Sequence, residues 1–227
     1  MARKVLLFAA LVLPTVEAIY PEDHWSYSTK LDSATVDSFV KENVDNDKTV
    51  FIRFIASSGW GWWRKQAPGW NAVVKKFSEN DDVVFGDVNL AEARINSIHG
   101  TAQNPGAGGW PTVRYYNKKT GYGGQAYTKK TSSPMCEELK DMKYMSAYVE
   151  EAGETSLCSI VTKKGCDEKS LKYIAKMEGR SPGDRTKQLD RLTKMLAEKM
   201  SKSSYEWVDT RVRILKQFAK ENKQEEL

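Results

Sequence analysis

The chain has 227 residues, of which 40% are hydrophobic and 29% charged, and its formal net charge is +5. That length accommodates one domain of ordinary size and a second, small one. The basic excess is spread along the chain with no long run of consecutive Lys and Arg, which argues against nucleic acid as a partner. There is no repeat, no low-complexity tract and no Asn-x-Ser/Thr acceptor site.

Residues 1–18 read as a secretory signal. Arg3 and Lys4 precede an apolar run from Val5 to Leu13, and Val16-Glu17-Ala18 offers a small-residue cleavage site. The run is too short to span a bilayer. No later segment is apolar enough, so the mature chain is expected to have no membrane span and to be lumenal or secreted. Asp32 to Val44 carries Val36, Phe39, Val40 and Val44 at helical spacing. Thr49 to Ala56 is short, apolar and rich in β-branched and aromatic residues, the pattern of a buried parallel strand. Trp63 to Phe77 reads as a helix with Pro68 as a kink, Val83 to Val88 as a strand, and Leu90 to Ile98 as a short helix. After the glycine-rich loop Gly100 to Gly109, Pro111 to Tyr116 and Gly123 to Thr128 pair about a turn at Asn117 to Gly121. Pro134 to Ala152 reads as one closing helix. Strands alternating with helices and ending in a hairpin imply a layered α/β domain over residues 19–152.

The most informative stretch is Ser57-Ser58-Gly59-Trp60-Gly61-Trp62-Trp63-Arg64-Lys65-Gln66-Ala67-Pro68-Gly69-Trp70. It resembles the active-site turn of the protein disulfide isomerase family with its cysteines removed. Arg64, Lys65, Ala67, Pro68 and Trp70 keep the family's pattern after the turn. Val84-Phe85-Gly86-Asp87-Val88-Asn89 is similar to its central strand end, and Gly109-Trp110-Pro111-Thr112-Val113 to its Gly-Tyr-Pro-Thr-Leu segment. The resemblance implies a thioredoxin-like fold and a cis bond between Trp110 and Pro111, facing the turn. Counted back from Pro68, the two cysteine positions fall on Trp60 and Trp63; counted forward from Ala56, on Gly59 and Trp62. Neither register supplies a thiol, so the degenerate turn Gly59, Trp60, Gly61, Trp62 and Trp63 holds no catalytic residue for thiol exchange. The acid that the family buries beneath its cysteines corresponds to Arg53.

The second region starts near Cys158. Leu171, Ile174, Ala175 and Met177 form one helical pattern, which Gly179 to Asp184 interrupts with Pro182 and Gly183 as punctuation. Leu189, Leu192, Met195, Leu196 and Met200 form an apolar stripe, and Trp207, Val208, Val212, Ile214, Leu215 and Phe218 another. Three or more short helices over residues 153–222 bury both. This order, with Tyr173-Ile174 and Arg213-Ile214-Leu215, resembles the all-helical C-terminal domain of redox-silent reticulum chaperones. Met177, Met195 and Met200 either line a groove or fill the core. Of three cysteines, Cys158 and Cys166 bracket a short Gly-containing loop and are expected to close as a structural disulfide. Cys136 is left over as a buried thiol or an intermolecular partner. His24 and His99 are isolated, with surface or capping roles expected, and no metal site or cofactor is indicated.

The tail, residues 223–227, carries Gln224-Glu225-Glu226-Leu227, similar to the Lys-Asp-Glu-Leu retrieval signal, which implies a retrieval receptor as partner and the endoplasmic reticulum lumen as location. Two functions fit. One is a redox-inactive chaperone or escort that binds unfolded or secretory client polypeptides through Trp60, Trp62, Trp63, Trp110 and Pro111. The alternative is a thiol or selenol oxidoreductase, if one of the three turn tryptophans stands for a selenocysteine encoded by UGA.

Overall fold

The structure, a computed structural model, describes residues 20–56 and 62–225; the side chains at positions 62–65, 202 and 223–225 fall outside that description. The expected secretory signal, Ser57 to Gly61 of the turn, and the last two residues of the tail also lie outside it.

The first part is a layered α/β unit built on five strands: β1 (Thr29–Leu31), β2 (Thr49–Ile55), β3 (Val83–Asn89), β6 (Thr112–Asn117) and β7 (Gly121–Ala126), in the order β1-β3-β2-β6-β7. Strands β1, β3 and β2 run parallel, and β6 and β7 are antiparallel to their neighbours. Every residue of β2 is buried, as a strand covered on both faces requires. Its alternation divides the core. Val50, Ile52 and Phe54 pack toward α1 (Val36–Asp45) with Val36, Val40 and Val44. Phe51 packs on the other face with Trp70, Val73, Val74 and Phe77 of the region of α2 (Trp62–Lys76) and with Met145, Tyr148 and Val149 of α4 (Met142–Ala152).

Four expectations are corrected at their ends or interiors. The first helix starts at Val36 instead of Asp32, because the Asp32 carboxylate accepts from the backbone N–H groups of Ala34 (2.9 Å) and Thr35 (3.0 Å) and holds a turn. Leu90 to Ile98 is not a helix. Asn89 closes one turn by accepting from Ala91 N at 3.2 Å. The chain then runs extended, burying Ala93, Ile95 and Ile98, and β4 (Ser97–Ile98) pairs with β5 (Thr101–Ala102). The closing helix is two: α3 (Met135–Glu138) ends at Leu139, and Asp141 caps α4 by accepting from Lys143 N. The hairpin partner β7 begins at Gly121 rather than Gly123.

The C-terminal part is helical: α5 (Glu168–Glu178), α6 (Pro182–Leu196) and α7 (Lys202–Glu225). Pro182 and Gly183 do not interrupt helix; they open α6, with Ser181 as the cap accepting from Asp184 N. Only Gly179 to Ser181 break the chain. Ile174, Met177, Leu192, Val208, Val212, Ile214, Leu215 and Phe218 bury the two stripes against each other. Of the three methionines, Met177 is core, while Met195 and Met200 lie at its edge and line a groove with Trp207 and Val208. Residues 223–225 of the tail form the last turn of α7. Cys158 and Cys166 are disulfide-bonded at the start of this region, and Cys136 is a buried free thiol. The two parts are tied by Asn80 Nδ2 donating to Thr155 Oγ1 (2.8 Å) and by ion pairs Lys220–Asp82 and Lys164–Glu79. Among the described residues, no helix is long and apolar enough to cross a membrane.

Candidate functional site

Arg53 interrupts an apolar strand, and its parity puts it on the same face as Phe51, alongside the first turns of α2. It is fully buried. A buried guanidinium needs an anion, and strand register supplies one: Arg53 stands beside Asp87 of β3. Arg53 Nε donates to Asp87 Oδ1 at 2.6 Å. The other carboxylate oxygen accepts from Ser28 Oγ (2.7 Å) and Trp70 Nε1 (3.2 Å) and is bonded to His24 Nε2 (2.8 Å). Burial pushes the Asp87 carboxyl up, but the Arg53 charge and the His24 and Ser28 bonds outweigh it and hold it below the ordinary carboxylate range. Arg53 Nη1 donates to Gln66 Oε1 at 3.3 Å, and the guanidinium lies 5.3 Å from the ring centres of both Tyr20 and Trp70. Burial, then the Asp87 charge, raise the Tyr20 hydroxyl well above its usual value.

His24 is therefore not a surface or capping residue: it is buried, in a short 3-10 helix (His24–Ser26), between the Tyr20 and Trp25 rings and Asp87. His99 is a surface residue, its Nε2 bonded to Asp37 O. The position that the resemblance matches to the family's buried acid is thus cationic here, and its counter-charge, Asp87, stands on the neighbouring strand. Sequence reasoning missed His24, Ser28, Gln66 and Asp87 as a cluster. One signal was present: an arginine inside an otherwise apolar strand demands a buried acid. Which acid answers it depends on strand register, which is a tertiary fact.

The bond between Trp110 and Pro111 is cis, and Pro111 is buried. Trp110 is half-buried and packs against the α1-side core. Its indole lies over Gly106, where a Cβ would come within 2.7 Å of Cζ2 and where φ is +88°. Only glycine fits both demands. Gly106 N donates to Thr112 Oγ1 at 2.7 Å, wrapping the glycine-rich loop around the ring. Of the expected peptide-contacting residues, the structure thus places Trp110 and Pro111 together at the start of β6. Trp62 and Trp63 contribute the first backbone residues of α2, with their side chains outside the description, and Gly59, Trp60 and Gly61 lie outside the described residues. Among the described residues, no group of His, Cys, Asp and Glu is placed to hold a metal ion.

No family model matches this chain. Over 170 residues it is 25% identical to the protein disulfide-isomerase-like protein EhSep2 of Emiliania huxleyi, covering 72% of this chain and 66% of that relative. Among solved structures, the J-Trx1 fragment of ERdj5 aligns over 59% of this chain and 55% of its own, at 14% identity and a TM-score of 0.41. The first thioredoxin domain of mouse protein disulfide-isomerase A4 aligns over 55% and 74%, at 22% identity and a TM-score of 0.38. The N-terminal part of the chain has a thioredoxin-like fold and is similar in sequence to a protein disulfide-isomerase-like protein.

Proposed function

We propose that this protein is a redox-inactive chaperone or escort of the endoplasmic reticulum lumen, which holds unfolded secretory chains without exchanging disulfides. One observation carries the reading. The chain's three cysteines all sit away from the turn, two joined to each other in the helical region and one buried in α3. Thiol exchange needs an accessible thiolate and a resolving partner, and neither exists at the turn as written. Clients would meet the tryptophan-rich turn and the cis-proline loop, whose indoles offer apolar area and a hydrogen-bonding N–H. The signal-like start and the retrieval-like tail support the location. In the test, the chain is assayed for insulin reduction and for binding of an extended apolar peptide, beside the variant with Trp60, Trp62 and Trp63 changed to Ala. No reduction above background is expected. The variant should lose peptide binding with its far-UV circular dichroism unchanged. Binding that survives with the fold intact would move the site elsewhere.

Arg53 favours a second reading. Thiol chemistry in this family uses a buried acid to accept the proton, and a cation stands in that position here. A selenol is more acidic than a thiol and needs no such acceptor. If Trp60, Trp62 or Trp63 is encoded by UGA, the protein would be a selenol oxidoreductase. Reading the three codons decides it: three UGG codons end this reading.

A further inference from the structure

A groove of about 530 Å³ lies where α6 ends and α7 begins. Its apolar lining is Met195 and Met200, both half-buried, Trp207, which is 45% exposed, and Val208, which belongs to the core beneath. Methionine adapts its shape to varied apolar side chains, and tryptophan is among the commonest binding anchors. The charges around the groove are lopsided. Arg191 Nη1 lies 4.0 Å from Met195 Sδ, the Arg211 guanidinium lies 3.8 Å from the centre of the Trp207 ring, and Lys199 is part of the lining. Among the described lining residues Glu198 is the only carboxylate. Arg191, Lys199, Arg211 and Glu198 form no ion pair with a described residue; Asp167 is near enough to Arg211 for its charge to be felt, without pairing. Elsewhere on the surface cations are matched, as in Lys30–Glu92 and Lys75–Asp23.

We infer that this groove docks a partner protein through a segment that sets large apolar side chains among aspartates and glutamates. The thioethers and the indole would take the apolar anchors, and the flanking carboxylates would pair with Arg191, Lys199 and Arg211. Arginine suits this arrangement, because its guanidinium can stay stacked on the Trp207 ring while its edge takes a carboxylate in plane. A basic segment would instead meet three like charges against one carboxylate. The site uses no residue of the tryptophan-rich turn, so it does not rest on the chaperone reading.

The test follows fluorescence anisotropy of a labelled peptide with leucine and phenylalanine anchors among aspartates and glutamates, beside the same peptide with lysine at every acidic position. The full chain should bind the acidic peptide, more weakly as salt is raised, and not the basic one. The methyl signals of Met195 and Met200 should shift on binding. Trp207→Ala should weaken binding by about tenfold or more. Arg191→Gln together with Arg211→Gln should weaken it by about three- to tenfold and flatten the salt dependence, and this pair keeps the test open even if Trp207→Ala fails to fold. The variant with Trp60, Trp62 and Trp63 changed to Ala should bind as the parent does. Equal binding of the two peptides would overturn the inference, and so would acidic-peptide binding that ignores Trp207→Ala in a folded chain or that is lost with the turn tryptophans. Self-association, or capture by phosphatidylserine vesicles, that Trp207→Ala abolishes while the acidic peptide stays unbound would assign the groove to a second copy or to a lipid surface and overturn it as well.

Discussion

Replacing Arg53 by Met removes the guanidinium that answers Asp87 while keeping a side chain of similar length in the core. Breaking a buried ion pair by deleting one partner is destabilising by about 3–5 kcal/mol. Asp87 keeps its bonds to His24, Ser28 and Trp70, so the lower end, about 3 kcal/mol at pH 7, is expected. For a chain of this size that is a fall of about 6–12 °C in thermal midpoint. The sign with pH follows from Asp87, whose carboxyl is held below its ordinary range in the folded parent. Its contribution is fully present above the unfolded value of about 3.9 and is lost as pH falls through the lower folded value. In the variant, burial acts on Asp87 without the guanidinium, so the carboxyl is pushed up and the parent's advantage is greatest at neutral pH. The gap in midpoint should therefore begin to narrow above about pH 4, as the variant's raised carboxyl protonates, and go on narrowing until the parent's lowered one does. Changing Asp87 to Asn in the Arg53→Met background should recover part of the loss, because no unpaired charge remains while an amide oxygen still accepts from Ser28 and Trp70. Calorimetry from pH 7 down to pH 3 makes the comparison. Equal midpoints for parent and single variant at pH 7, or a double variant less stable than the single one, would refute the assignment of Asp87 as the buried counter-ion.

The Cys158–Cys166 bond closes a loop with a sequence separation of 8; changing both to Ser should lower stability by about 2–3 kcal/mol in the chain-entropy model, and non-reducing peptide mapping should recover the two peptides joined. Gly69→Ala should destabilise by about 1–3 kcal/mol in a denaturant melt, because a Cβ there would stand 2.5 Å from Lys140 O and 2.8 Å from Leu139 O, both backbone atoms. Deleting Gln224 to Leu227 should shift the protein from cells to medium without changing its melting curve, and unchanged retention would show that the tail is not an address.

Sequence alone was enough for the elements whose signal is local. β2 was legible because five of its seven residues are apolar, and α5, α6 and α7 because their stripes repeat at the helical period. The layered order came from strands alternating with helices, the cis bond at Pro111 with the family resemblance, and the Cys158–Cys166 pair with short spacing. Asp32, Leu139 and Pro182 marked boundaries that propensity placed wrongly, since one capping bond or one fixed φ decides a helix end. Leu90 to Ile98 misled for a different reason: its apolar residues sit at spacings that both a helix and an extended edge can bury, and only the α1-side core chooses between them. The buried cluster needed the tertiary structure entirely. His24, Ser28, Arg53, Gln66, Trp70 and Asp87 are up to 63 positions apart in pairs that touch, and nothing local links them. Parallel register sets Arg53 beside Asp87, and packing of the segment before β1 brings His24 to the same carboxylate. Low dielectric then makes each of those contacts count.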